Sequence, residues 1–589
     1  MKHIREMLYR KYVLIYLLES LVFSITGIVD TVAVGRFSGE NGLAALKLSL
    51  PVFAIMSLAG NVFATGLSVS LSNLIARGKK ERANQTFLWV LISIAGVSVF
   101  LLLISRVFSE PLVSLFSGNT QDPVIKQMVR GYIMPFFGFS LPVIAYDVLS
   151  TVVALEGDEI RIRLSVYAVL ITDVIGDYLA VRLELGIFGI AIASILAYTC
   201  SCLILCMHFV KGETCFYPER LRYEKRRLKE VLKAGNPDGL RGLCMFFAPM
   251  IVNRIMMFYG GTTGLAALSV QDAVHYLPEA LCDGISAAVL LFTCIFAAEQ
   301  DREALSHERK IARKSIVILV TFTAAMMFVL APVIISPFTK DRLLLDQAVL
   351  AFRWYLLGLP FLAANLAVIS YMQGMGKTGT ATCYVALYEL VLPTLCAYIL
   401  GRAAGPEGIY ASYAVKEIVL FLFQILVIGI YRKKYPGWNY AENEWDEIQD
   451  ELRMNLTTAE DVTDASAAVI NMCKSHGINK RQGNHMALCL EEIGINSISH
   501  GFANKGEDYL EARFMLTKNH MVLRLFDNCE TFNLTDQYEL LKMDDKTSHI
   551  GLKLVFASAD SVDYSHSLNM NNVVIRVARN NDNLKGNAE

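Results

Sequence analysis

Polar and hydrophobic positions alternate over long distances in this chain. Apolar runs of about twenty residues, the length that crosses a bilayer as a helix, are separated by short charged loops. The runs fall at 12–34, 48–75, 86–108, 128–153, 162–183 and 187–210, then at 238–259, 265–298, 312–338, 348–373, 381–401 and 408–431. They predict twelve transmembrane helices in two sets of six. After residue 434 the period shortens. Helical spacing covers Ala459–His476 and Gln482–His500, and period-two alternation covers Tyr509–Leu516, Met521–Phe526 and Val573–Ala578. The expected fold class is an all-α membrane protein of two six-helix lobes, followed by a small cytoplasmic α/β sandwich domain. The expected divisions are a first lobe 1–210, a cytoplasmic inter-lobe loop 211–235, a second lobe 236–434, a short acidic linker 435–453 and the α/β domain 454–589.

The two sets repeat. Ile28–Leu46 reads IVDTVAVGRFSGENGLAAL and Ile251–Leu268 reads IVNRIMMFYGGTTGLAAL. Each copy is followed by an apolar span and a charged turn, at Arg77–Ala83 and at Glu299–Ala304. An internal repeat of this length predicts two halves of similar fold.

Charge sets the orientation. Lys2, Arg5, Arg10 and Lys11, then Arg77, Lys79, Lys80 and Arg82, then Arg161 and Arg163 all lie on one side of the expected membrane. The opposite loops are nearly bare; Gly260–Gly264 carries no charge. Basic loops stay inside, so both termini are expected in the cytoplasm. The net charge of −1 gives no basis for nucleic-acid binding. Twelve cysteines, scattered without CxxC pairs, read as small buried hydrophobes. The first apolar run is of spanning length and lacks a small-residue cleavage site, so it reads as an anchor, not a cleaved signal.

The candidate chemistry in the membrane is acidic. Asp30 sits in the first span, where a charge costs roughly 2.5–3.5 kcal/mol on insertion scales, which marks it as a functional candidate. Asp173 and Asp177 are four apart and share a helical face of the fifth span. Three carboxylates converging in one lobe are suited to hold H⁺ or Na⁺. In the second lobe Asn253 replaces the acid, Arg254 follows it, and Glu279 and Asp283 are four apart, with Glu389 and Glu417 further on. A structural ion pair through Arg254 and a second polar site fit these residues equally. Met256, Met257, Met326 and Met327 suit either an adaptable apolar cavity or plain packing.

Residues 10–432 resemble a multidrug and toxic compound extrusion (MATE-type) transporter. The resemblance rests on Asp30–Arg36 (D-x-x-x-V-G-R), Gly42-Leu-Ala-Ala, Pro51, Gly60, Gly66, Arg77-Gly-Lys-Lys, the Gly157-Asp158 turn and the Gln373-Gly-Met-Gly376 turn. It implies a bacterial inner-membrane antiporter that takes H⁺ or Na⁺ on Asp30, Asp173 and Asp177 and exports amphipathic or cationic small molecules. Asp173 stands where the family usually has an amide.

The tail carries a second constellation. Glu492, Asn496 and His500 are one helical turn apart, Asp527-Asn528 ends an expected strand, and Ser548–Leu552 opens an expected helix. A carboxylate and an amide one turn apart suit water and Mg²⁺ against phosphate oxygens. In this order the motifs resemble the GHKL-type ATPase domain of anti-sigma-factor serine kinases. The resemblance implies ATP and Mg²⁺, with Glu492 as the catalytic carboxylate, Asn496 as the Mg²⁺ ligand, and Asp527, Asn528 and Gly551 at the nucleotide. The family's D-x-G-x-G is here Asp527-Asn-Cys529-Glu-Thr531. Two other readings remain open: a membrane-anchored sensor or serine kinase acting on a cytoplasmic regulatory protein, and a flippase for lipid-linked saccharides.

Overall fold

The computed structural model describes residues 2–49, 51–76, 79–117, 122–210, 214, 216–217, 225–298, 301–338, 342–434, 448–501, 509–529, 555–557, 559–567 and 570–579. The chain divides into two compact units: Glu6–Asn73 with Glu81–Glu442, and Asn443–Glu589 with the segments Met1–Arg5 and Leu74–Lys80.

The first lobe contains α1 (Lys2–Ser49), α2 (Pro51–Ala76), α3 (Lys80–Val107), α4 (Ser109–Ser117), α5 (Pro123–Gly138), α6 (Ser140–Leu155), α7 (Glu159–Arg182) and α8 (Gly186–Val210). The second contains α9 (Lys225–Val274), α10 (Tyr276–Ala298), α11 (Arg302–Ser315), α12 (Thr321–Ile335), α13 (Arg342–Gly374), α14 (Thr378–Ala386) and α15 (Leu392–Lys434). Among the described residues nine runs are long and apolar enough to cross a bilayer, and the pair α5–α6, bent by 52°, makes ten. The run Thr378–Ile430, 53 residues, holds two spans, because Ala404 and Gly405 leave helical geometry in its middle. With the apolar run 12–34 inside α1, this accounts for the expected six plus six.

Two boundaries move. α1 continues to Ser49, so the second span starts at Pro51, a residue suited to the first helical turn. The expected span 265–298 is interrupted at His275, between α9 and α10. In both repeats the GLAAL segment therefore lies on the last turns of a helix that breaks soon afterwards. Short π-helical turns at Ile316–Val320 and Leu387–Val391 lead into α12 and α15.

The charged turns are built by side-chain caps and glycines. Asp158 and Asp301 accept backbone N–H groups from Arg161 and Ala304 at the starts of α7 and α11. The corresponding turns after α6 and α13 close alike. Gly157 N–H donates to Ala154 and Asp158 N–H to Val153, while Gly376 N–H donates to Gln373 and Lys377 N–H to Met372. Both glycines have φ near the left-handed region, 83° and 72°, which a side chain disfavours. α7 and α8 pack so closely that a β-carbon on Gly176 would lie 2.6 Å from that of Ala193.

The tail is a five-stranded antiparallel sheet with two helices. Its strands are β1 (Ile448–Asn455), β2 (Leu510–Thr517), β3 (His520–Asp527), β4 (Ser561–Ser567) and β5 (Met570–Ala578), in the order β1-β2-β3-β5-β4. Helices α16 (Ala459–Ser475) and α17 (Lys480–Asn496) bury Val462, Val469, Met486, Leu490 and Ile493 against Phe514, Leu516, Leu523, Leu525 and Ile575. Thr458 and Asp461 form a reciprocal cap at the start of α16. The sheet begins at Ile448, within the stretch expected as linker. Glu451 of β1 accepts from Arg513 Nε on β2 at 2.7 Å, so acidic residues there belong to a cross-strand ion pair.

Candidate functional site

α1 and α7 bring three carboxylates together in the first lobe. Oxygens of Asp30, Asp173 and Asp177 lie within 4.8 Å of one another, and all three residues are buried. Asp30 Oδ1, Asp173 Oδ2 and both oxygens of Asp177 have no hydrogen-bond partner among the described residues. Ser194 of α8 hydrogen-bonds Asp173, and no basic group acts on any of the three. Two unit charges 4 Å apart repel by about 4 kcal/mol at an effective dielectric of 20. A bound cation or protons must therefore balance the cluster.

Sequence reasoning missed two features here. Tyr132 of α5, fully buried, interacts with all three carboxylates, and its hydroxyl is unpartnered among the described residues. Phe53 and Phe136 pack around its ring, with centroids 6.3 and 5.3 Å away. Asp147 of α6 is a further carboxylate in an apolar span; a β-carbon on Gly60 would meet its Oδ2 at 2.1 Å. Beside it, Tyr146 donates to Glu19 of α1 at 2.7 Å. The signal for Asp147, one acid inside a span, was the same as for Asp30.

In the second lobe Arg254 is exposed, and among the described residues no ion pair joins it to Glu279 or Asp283. Arg241, earlier on α9, takes that place: it donates to Glu389 at 2.9 Å and lies 3.8 Å from Asp283. Glu279 accepts from Tyr355 at 3.1 Å and lies 3.2 Å from His275 Nε2. Lys416 pairs with Glu417 at 2.8 Å, and Asn365 also donates to Glu417. The pattern had placed Arg254 by adjacency to the repeat; Arg241 is brought in by the length of α9. At the end of α8, His208 lies between Glu156, at 2.6 Å, and Asp158, at 2.9 Å.

In the tail, α17 presents Asn496 exposed and Glu492 half-buried one turn earlier. Asp527, at the end of β3, accepts from Asn571 Nδ2 at 2.8 Å and from Cys529 N–H at 2.9 Å. Asn528 is exposed just after β3, and its Oδ1 accepts the Tyr509 N–H at 2.9 Å. Gly551, with Ser548 and His549, lies outside the described residues. A buried, fixed carboxylate at the strand end and an exposed amide on the adjoining helix fit a nucleotide and its Mg²⁺. Asp527 would hold the base and Asn496 the metal.

The repeated lobes and the buried acids define a multi-pass membrane transporter. Residues 16–179 and 237–399, together more than half of the chain, match the MatE family, to which the chain belongs. Residues 456–577 match the histidine kinase-like ATPase domain. The multidrug export protein MepA of Staphylococcus aureus is 21% identical over 428 residues, covering 71% of this chain and 92% of the relative. Its counterpart in Staphylococcus saprophyticus gives the same identity and coverage. Among solved structures, the outward-facing form of a multidrug resistance MATE family transporter shares the fold with a TM-score of 0.66 at 21% identity. It covers 73% of this chain and 97% of that one. A MOP superfamily transporter from Pyrococcus furiosus superposes with a TM-score of 0.67 at 20% identity and the same coverage.

Proposed function

We propose that the protein is an H⁺- or Na⁺-coupled exporter of amphipathic or cationic small molecules in the bacterial cell membrane, with both termini in the cytoplasm. The observation that carries this reading is the buried Asp30–Asp173–Asp177 cluster, four of whose oxygens lack a hydrogen-bond partner and which no basic group balances among the described residues. Loading the cluster with a cation removes the repulsion between α1 and α7, which favours a different packing of those helices and opens the inter-lobe cavity outward by alternating access. The relatives named as multidrug export proteins agree with this substrate class. In the second lobe Arg241 and Lys416 are each paired with a carboxylate.

Replacing Asp30 by Asn tests the reading by gradient-driven dye efflux from cells. Efflux is expected to fall to the background of cells lacking the protein; unchanged, gradient-dependent efflux sinks the proposal.

The tail acts as a nucleotide-binding regulatory domain on the cytoplasmic side. When bound, ATP with Mg²⁺ supplies a phosphoryl group to transfer. Asp527 would hold the base, Asn496 the metal, and Glu492 would orient a nucleophile such as a hydroxyl of a partner protein. Titrating the full-length chain with a fluorescent ATP analogue, with and without Asp527→Asn, is the check. Binding that is insensitive to this change removes the regulatory reading.

A further inference from the structure

We propose that Asp238 of α9 is a positioning residue of the transport cycle: by its bond to Thr65 of the first lobe it holds the two lobes shut on the membrane side that carries both chain termini. This rests on the reading of the chain as an alternating-access exporter, in which α1 and α9 start, and α2 and α10 end, on that side.

The lobes meet there along α2, α9 and α10. A β-carbon on Gly66 of α2 would collide with the Val231 carbonyl of α9, and one on Gly235 of α9 with the Val62 carbonyl of α2. Each backbone lies on the other, the close approach that small residues permit between membrane helices. Gly242 continues the contact, with Leu58 Cδ1 2.7 Å from an added β-carbon. Around it the seal is apolar. Val69 of α2, Ala234 of α9 and Cys294 of α10 form one buried cluster. Phe292 of α10 takes Tyr9 and Tyr12 of α1 at ring-centroid distances of 5.4 and 5.8 Å.

Apolar packing is non-directional and can part and close again without a fixed partner. The directional contact is polar. Asp238 accepts from the buried Thr65 hydroxyl across the lobe boundary, and from Gln373 Nε2 of α13, within its own lobe, at 3.1 Å. Arg241, further along α9, adds its positive charge beside the carboxylate. A half-buried carboxylate needs such donors, and here one of them belongs to the other lobe. Opening this side breaks the bond to Thr65 and leaves the bond to Gln373, so the first stabilises the closed conformation alone.

The test reads the opening itself. The purified full-length chain in detergent, without substrate or ion gradient, is treated with a maleimide, and labelling of native Cys294 is followed by peptide mass spectrometry. Cys294 is 1% exposed in the closed form. Asp238→Ala and Thr65→Val are each expected to raise its labelling rate at least about threefold, the population shift of one lost hydrogen bond. The double variant should exceed the faster single one by less than about twofold, because both changes break the same bond. Thr65→Ser, which keeps the hydroxyl, should stay within about twofold of the wild type. Cys282, buried on the same helix against Leu359 of its own lobe, guards against unfolding and should not change. An unchanged Cys294 rate in either single variant, additive effects in the double variant, a Thr65→Ser rate as high as that of Thr65→Val, or Cys282 rising in step with Cys294 overturns the proposal. The ion-coupling reading is tested apart from this, by gradient-driven efflux with Asp30→Asn.

Discussion

Cys529 fills the space that a side chain at residue 501 would need. A β-carbon on Gly501 would lie 2.5 Å from Cys529 Sγ, and the thiol points to the Ser497 carbonyl at 3.7 Å. The residue that replaces the first glycine of the expected D-x-G-x-G is therefore matched by a glycine on the turn facing it. Gly501→Ala should destabilise the tail by about 1–3 kcal/mol through overpacking. Cys529→Gly in the same chain should recover most of that loss. Differential unfolding of the single and double variants reads the coupling, and additive effects would contradict it.

Arg241 holds two carboxylates of the second lobe. Arg241→Ala leaves Glu389 and Asp283 without their base, at a cost of about 2–4 kcal/mol for a partly exposed group. Adding Glu389→Gln should restore part of it. The thermal stability of the detergent-solubilised protein is the measurement, and the double variant should lie above the single one.

Asp461 makes the tail sensitive to acid. The Thr457 hydroxyl, with backbone N–H groups of Thr457 and Thr458, donates to its carboxylate and holds its pKa at about 2, below the ordinary 3.8. The folded state prefers the ionised form. Its contribution is therefore complete above the ordinary value and fades as pH falls toward 2. Amide exchange in the first turn of α16 should be slower in the wild type than in Asp461→Asn at neutral pH. The difference should shrink below about pH 4. A gap that persists to pH 2 would assign the effect to something other than the carboxylate.

The spans were legible because a bilayer demands long apolar runs, and the run lengths survive even where helices break. Breaks were less legible. Gly261 and Gly405 bend continuous helical runs, and nothing in hydropathy distinguishes them from glycines that merely pack. In the tail the two edge strands escaped detection. β1 carries Asp450, Glu451 and Arg453, which read as linker until Arg513 is seen across the ladder. β4 alternates Val562 and Tyr564 with small polar residues, too weak a pattern without β5 beside it. At the site, Asp30 and the Asp173–Asp177 pair announced themselves through the cost of charge in an apolar run. Tyr132 did not, because a tyrosine in a membrane helix is ordinary until it is found fully buried with an unpartnered hydroxyl within the electrostatic reach of three acids.

The contact between Gly176 and Ala193 has a mechanical consequence. With only hydrogen on one side and a methyl on the other, 2.6 Å from an added carbon, α7 and α8 mesh with no room to roll past each other. A force applied at Asp173 or Asp177 is carried into α8 as well. A cation at the proposed site that displaced α7 would therefore press on α8 through this contact as well.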